Sequence, residues 1–156
     1  MRLDSGIFTG ASAVLVFAAA LAACDNPVKP SEDHPEAEGV VIRQGTVELA
    51  RWFDGTLTGQ LVVTAGQSVG PLTVRFLDHD GEELPLDDDE WLRVEFLTGA
   101  DVAAWQQATG GELGGTISGT TAGAATVRLH LMHGVHPSGH SEASFGPIPI
   151  TVVSPI

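Results

Sequence analysis

The chain has 156 residues, with 20 Asp and Glu against 7 Lys and Arg and a formal net charge of -13 at pH 7. So acidic a body excludes charge-driven binding to nucleic acid or anionic headgroups, and its natural counterparts are cations and cationic partners. The single cysteine excludes an intramolecular disulfide, so a packed core must hold the fold.

A short polar start containing Arg2 precedes an apolar run from Ala11 to Ala23. Spanning a bilayer takes about 20 apolar residues, so this run has the length of a signal-peptide core rather than a transmembrane helix. It ends in Leu21-Ala22-Ala23-Cys24, which resembles the bacterial lipobox. The resemblance implies that residues 1–23 are a signal peptide and that Cys24, acylated at sulfur, is the first residue of an exported lipoprotein facing the periplasm or the cell exterior. Acyl chains contribute about 0.8 kcal/mol per buried methylene, so two or three of them anchor a protein without any transmembrane helix. Asp25 resembles the inner-membrane retention signal of enteric bacteria; other phyla do not keep that rule, so inner and outer membrane both stay open.

Residues 24–39 carry Pro27, Pro30 and Pro35 among acids, with almost nothing apolar. Such a stretch cannot bury enough surface to offset the entropy of ordering it, which predicts a flexible acidic tether. Residues 40–156 are then long enough for one domain with a proper core.

From Val40 onward the pattern is that of strands. Leu92, Val94 and Phe96 alternate with Arg93 and Glu95, and Val127, Leu129 and Leu131 alternate with Arg128, His130 and Met132. Period two marks half-buried strands. Further strands are expected over 46–52, 57–64, 72–77, 112–118 and 148–153, with turns at Ala65-Gly66, Asp80-Gly81, Gly110-Gly111 and Ala122-Gly123. Residues 101–108 are expected to form a helical turn or two. About seven short strands at this spacing predict an all-β antiparallel sandwich.

A strand ending in Asp78-His79-Asp80-Gly81, a later Gly115-Thr116-Ile117-Ser118-Gly119, and then Thr121-Ala122-Gly123-Ala124-Ala125-Thr126-Val127-Arg128-Leu129 resemble bacterial immunoglobulin-like domains. The resemblance implies an immunoglobulin-like sandwich without the antibody cysteine pair, and a general binding or spacing role. Fold alone does not decide function.

The unusual concentration of chemistry is His130, His133, His136 and His140, four of the six histidines. Neutral imidazole is the commonest protein ligand for zinc and copper. Strand parity separates His130, which goes with Arg128 and Met132, from His133, which goes with Leu129 and Leu131. A helical HxxH face is therefore excluded, and a site needs the strand to end near Met132. The loop can then fold His133, His136 and His140 toward one point, with His130 or His79 as a further ligand. Met132 offers a thioether suited to Cu(I), and Glu142 an oxygen.

The carboxylates of 78–83 and 87–90 are a weaker site, because Gly81 comes too early for an EF-hand loop. Asp-Gly between apolar runs is a hairpin turn. Trp52, Trp91 and Trp105 are expected to be core or half-buried sheet residues. Acylation of Cys24 leaves no thiol nucleophile. Three histidines and an open water position would also describe a catalytic zinc, but no general base accompanies them. Two expectations follow: an anchored envelope lipoprotein, not an enzyme, that captures or delivers zinc or copper, or an immunoglobulin-like spacer that binds an envelope protein and no metal.

Overall fold

Side chains that alternate between apolar and polar can satisfy both only at a boundary, and two packed sheets supply that boundary. The computed structural model describes residues 36–109 and 113–156; the expected signal peptide, Cys24 and most of the tether lie outside the described residues, as do 110–112. The strands are β1 (Gly39–Gln44), β2 (Val47–Phe53), β3 (Thr56–Gly59), β4 (Leu61–Thr64), β5 (Ser68–Leu77), β6 (Glu90–Thr98), β7 (Ala103–Gln107), β8 (Gly114–Gly119), β9 (Gly123–His133) and β10 (His140–Val153). Six form one sheet in the order β3-β2-β1-β5-β8-β7, and four form the other as β4-β10-β9-β6. The all-β, immunoglobulin-like sandwich expected from the sequence is the fold, with ten strands among the described residues in place of about seven. One pairing, β4 with β10, is parallel.

The core lies between the sheets. Val40, Ile42, Leu72, Val74 and Phe76 from the larger sheet meet Leu129, Leu131, Ile148 and Ile150 from the smaller, all nearly inaccessible to solvent. Alternation within β9 is what sorts these positions: Ala125, Val127, Leu129 and Leu131 face the core, while Thr126 and Arg128 do not. Trp52 and Trp105 pack against the core from half-buried positions.

Strand β1 and the first half of β10 (140–147) add to the expected strands, and two other elements differ in kind. The strand predicted over 57–64 is two strands in different sheets, β3 pairing with β2 and β4 with β10. Gly59 makes the switch, with φ of 75° and the Leu49 carbonyl oxygen 2.1 Å from where a Cβ would stand. Only glycine fits so tight a left-handed corner. The helix expected over 101–108 is instead strand β7, because Ala103 is buried in the core and its neighbours pair with β8. Burial and pairing override the local preference. Ala37 packs on the core and the Glu38 N–H donates to Leu77 O at 2.8 Å, so the sandwich makes its first contacts just ahead of Val40.

The end of the smaller sheet that carries the histidine hairpin is built by β6, β9 and β10. The connection 78–89 carries the chain from β5 in one sheet to β6 in the other, so acidic residues 87–89 arrive where β9 ends. Within it Asp78 forms the predicted turn, its Oδ1 accepting the amides of Asp80 and Glu82 at 3.0 Å each.

Candidate metal centre

The inner face of the smaller sheet is built in rows. Leu92, Leu131 and Ala143 stand opposite one another across β6, β9 and β10, as do Val94, Leu129 and Phe145. The next row toward the end of the sandwich is Glu90, His133 and His140. At this rim the facing sheet no longer covers the row, so the same parity that buries Leu131 leaves His133 half-exposed and His140 exposed. Strand β9 therefore runs one residue past the expected break at Met132. The cross-strand register, and not a loop, brings the two histidines together, with ring centroids 5.4 Å apart.

A register shift between Ser141 and Ala143 delivers a third group. The extra residue is Glu142, which the bulge re-aims toward the row. Its Oε1 accepts from His133 Nδ1 at 2.8 Å, and Asp89 Oδ2 accepts from His133 Nε2 at 2.7 Å. Ionised carboxylates only accept, so the doubly protonated imidazole is the form that satisfies both contacts. Glu142 first, and then Asp89, push the His133 pKa above the ordinary histidine value. Glu90 is pushed above the usual carboxylate range by burial and by the nearby Glu142.

His133, His140 and Glu142 each offer a ligand atom, and these atoms lie within 4.8 Å of one another. Ligands bonded to a tetrahedral ion at about 2.0–2.2 Å stand about 3.4 Å apart, so modest side-chain rotation closes the set. The three can hold a metal ion. Asp89 then takes the place that an outer carboxylate commonly has beside a ligating histidine: it accepts from Nε2, fixes the ring, and leaves Nδ1 to face the ion. Gly139 permits the close hairpin, since a Cβ there would stand 2.3 Å from the His133 carbonyl oxygen.

Comparison with protein-family models, curated proteins and solved structures returned no match. Function must be drawn from this site itself.

The other sequence-predicted residues lie apart from the three. His136, at the tip of the hairpin, packs edge-on against Trp91 with centroids 4.5 Å apart. His79 is exposed in the Asp78 turn, where Nε2 meets Asp80 at 3.1 Å. Met132 is 1% exposed and sits in the adjacent row with Trp91 and Ser141, on the opposite face from His133. His130, 5% exposed, lies on that outer face too, its Nδ1 2.7 Å from Ser144 Oγ and its Nε2 3.0 Å from Glu95 Oε2. It ties β6, β9 and β10 together. The His130 contact holds the Glu95 carboxyl below its usual range.

Removing one partner of a buried hydrogen-bonded group costs about 1–3 kcal/mol. His130→Ala should therefore lower unfolding stability by about that amount, read from the denaturation midpoint, while leaving metal affinity unchanged. Asp89, on the other nitrogen of His133, is a residue that the sequence pattern places only in the weaker carboxylate cluster of 78–83 and 87–90 and not with the histidines. Its signal was indirect: a run of carboxylates leading straight into a strand that pairs with the histidine strand.

Proposed function

We propose that this chain is a membrane-anchored envelope lipoprotein whose sandwich binds one transition metal ion, zinc or copper, for capture or delivery rather than catalysis. The observation that carries the proposal is the convergence of His133, His140 and Glu142 within 4.8 Å. The lipobox-like Cys24 supports the anchor, and the net charge of -13 supports a role in collecting cations. Two imidazoles and a carboxylate, with the Met132 thioether turned to the other face, favour Zn²⁺ or Cu²⁺ over Cu(I). Calorimetric titration with each ion should give one ion per chain, and the His133, His140, Glu142 triple alanine variant should give none. Unchanged binding in that variant would sink the proposal.

The pH dependence follows from the two carboxylates on His133. A raised pKa stabilises the metal-free fold fully below the ordinary histidine value, and that contribution fades as pH rises through the raised one. Metal binding has the opposite sign, because Nδ1 must lose its proton to become a ligand. Affinity should climb with a midpoint above the ordinary histidine pKa of about 6.5, and binding at neutral pH should release protons. Calorimetry in buffers of different ionisation heat reads that release directly. A midpoint below the ordinary value would contradict it.

One observation favours the second reading, an immunoglobulin-like spacer or partner-binding module without metal. His133 already has a carboxylate on each nitrogen, so the network is satisfied by protein groups alone. That reading predicts a melting temperature indifferent to zinc and to EDTA.

A further inference from the structure

Strands β6 and β7 each form one edge of their sheet, β4 and β3 forming the other edges, and β6 and β7 are consecutive in the chain. The turn at Gly99–Val102 joins them at one end of the sandwich, with the Val102 N–H donating to Gly99 O at 2.9 Å. At the opposite end the start of β6 and the end of β7 part to leave a cleft of about 650 Å³. Trp91, Leu92 and Ala108 give it an apolar floor, and Val135, 81% exposed, stands at its mouth. Its charged lining is of one sign: Asp88, Asp89 and Glu90, with no Lys or Arg among the lining residues. Trp91 Nε1 donates to Gly134 O at 3.0 Å and His136 packs on its ring, so the indole is held in place.

We infer that this cleft is a docking site for an extended, lysine- or arginine-bearing segment of a partner protein. Three properties agree on that occupant. Edge strands present unpaired backbone donors and acceptors, which an extended peptide satisfies by strand addition. The carboxylates complement a cationic side chain, and an immobilised indole adds a cation–π surface. An apolar floor accepts the aliphatic stem of lysine or arginine while the charged head stays at the acidic rim. This site is separate from the metal proposal, although Asp89 and Glu90 border both.

The test uses the full chain in non-ionic detergent with EDTA present, so that the metal proposal cannot influence the outcome. A fluorescent peptide alternating lysine with threonine is titrated by anisotropy, against the same peptide with glutamate in place of lysine and against spermidine as a competitor. The lysine peptide should bind, more weakly as salt screens the charges, and the glutamate peptide should not. Asp88→Lys, which places a like charge at the rim, should weaken binding about tenfold or more. Ala108→Trp, which fills the floor, should do the same without changing any charge. Backbone amide exchange should slow in β6 or β7 and nowhere else. Equal affinity for both peptides, full displacement by spermidine at the peptide's own concentration, or protection spread over the acidic surface would each overturn the inference.

Discussion

Replacing His133 or His140 with alanine is expected to weaken zinc binding by more than about 100-fold, since outer-shell partners alone are worth about 10- to 100-fold. His133 is the stronger case, because it stands at the middle of the row between Glu90 and His140 and is gripped on both nitrogens. Asp89→Ala should fall in that outer-shell range of about 10- to 100-fold, because the ring keeps its place in the strand but loses the acceptor that fixes it. His79→Ala, in a turn where the imidazole meets only its neighbour Asp80, should leave affinity within about twofold, less than half a kcal/mol. Competition with a chromophoric chelator resolves all four variants on one scale. Loss in His79→Ala with retention in His133→Ala would move the site away from the β9–β10 register.

Phe76→Ala should destabilise the sandwich by about 3–5 kcal/mol. The side chain is wholly buried on β5, and its ring meets Phe145 of β10 with centroids 5.9 Å apart, tilted by 46°. It thus bridges the two sheets. Domains of this size are stable by only about 5–15 kcal/mol, so the variant should unfold at far lower denaturant or fail to fold at all. The absence of a disulfide pair removes any covalent reserve. Urea denaturation followed by tryptophan fluorescence measures the change. A loss below about 1 kcal/mol would mean that the two sheets are not packed through this residue.

The same alternation that buries Phe76 is why so much of the fold was legible in the sequence. Leu92-Val94-Phe96 and Val127-Leu129-Leu131 can bury one face only as strands, and their parity also separated His130 from His133 correctly. Residues 103–107 were not legible: Ala103-Ala104-Trp105-Gln106-Gln107 suits a helix locally, and its strand form depends on β8. There Gly115 leaves room for the Trp105 ring, which a Cβ would approach to 2.6 Å. A partner strand's missing side chain is invisible to a local pattern.

The candidate site divided along the same line. Histidine density pointed to the hairpin, and parity placed His133 at the rim. The bulge that re-aims Glu142 is a property of register between strands, and Asp89 lies 44 residues from His133 in the chain. His136 was grouped with the ligands because a loop was expected to begin earlier. The strand instead continues through His133, and His136 is carried over to Trp91.

The most direct test is a crystal of the protein grown with zinc, with diffraction recorded on both sides of the zinc absorption edge. One anomalous peak is predicted, bonded to His133 Nδ1, His140 and Glu142 at about 2.0–2.2 Å, with Asp89 remaining on His133 Nε2. A crystal without that peak, or a peak bonded to other residues while His133 keeps both of its carboxylate partners, would contradict it.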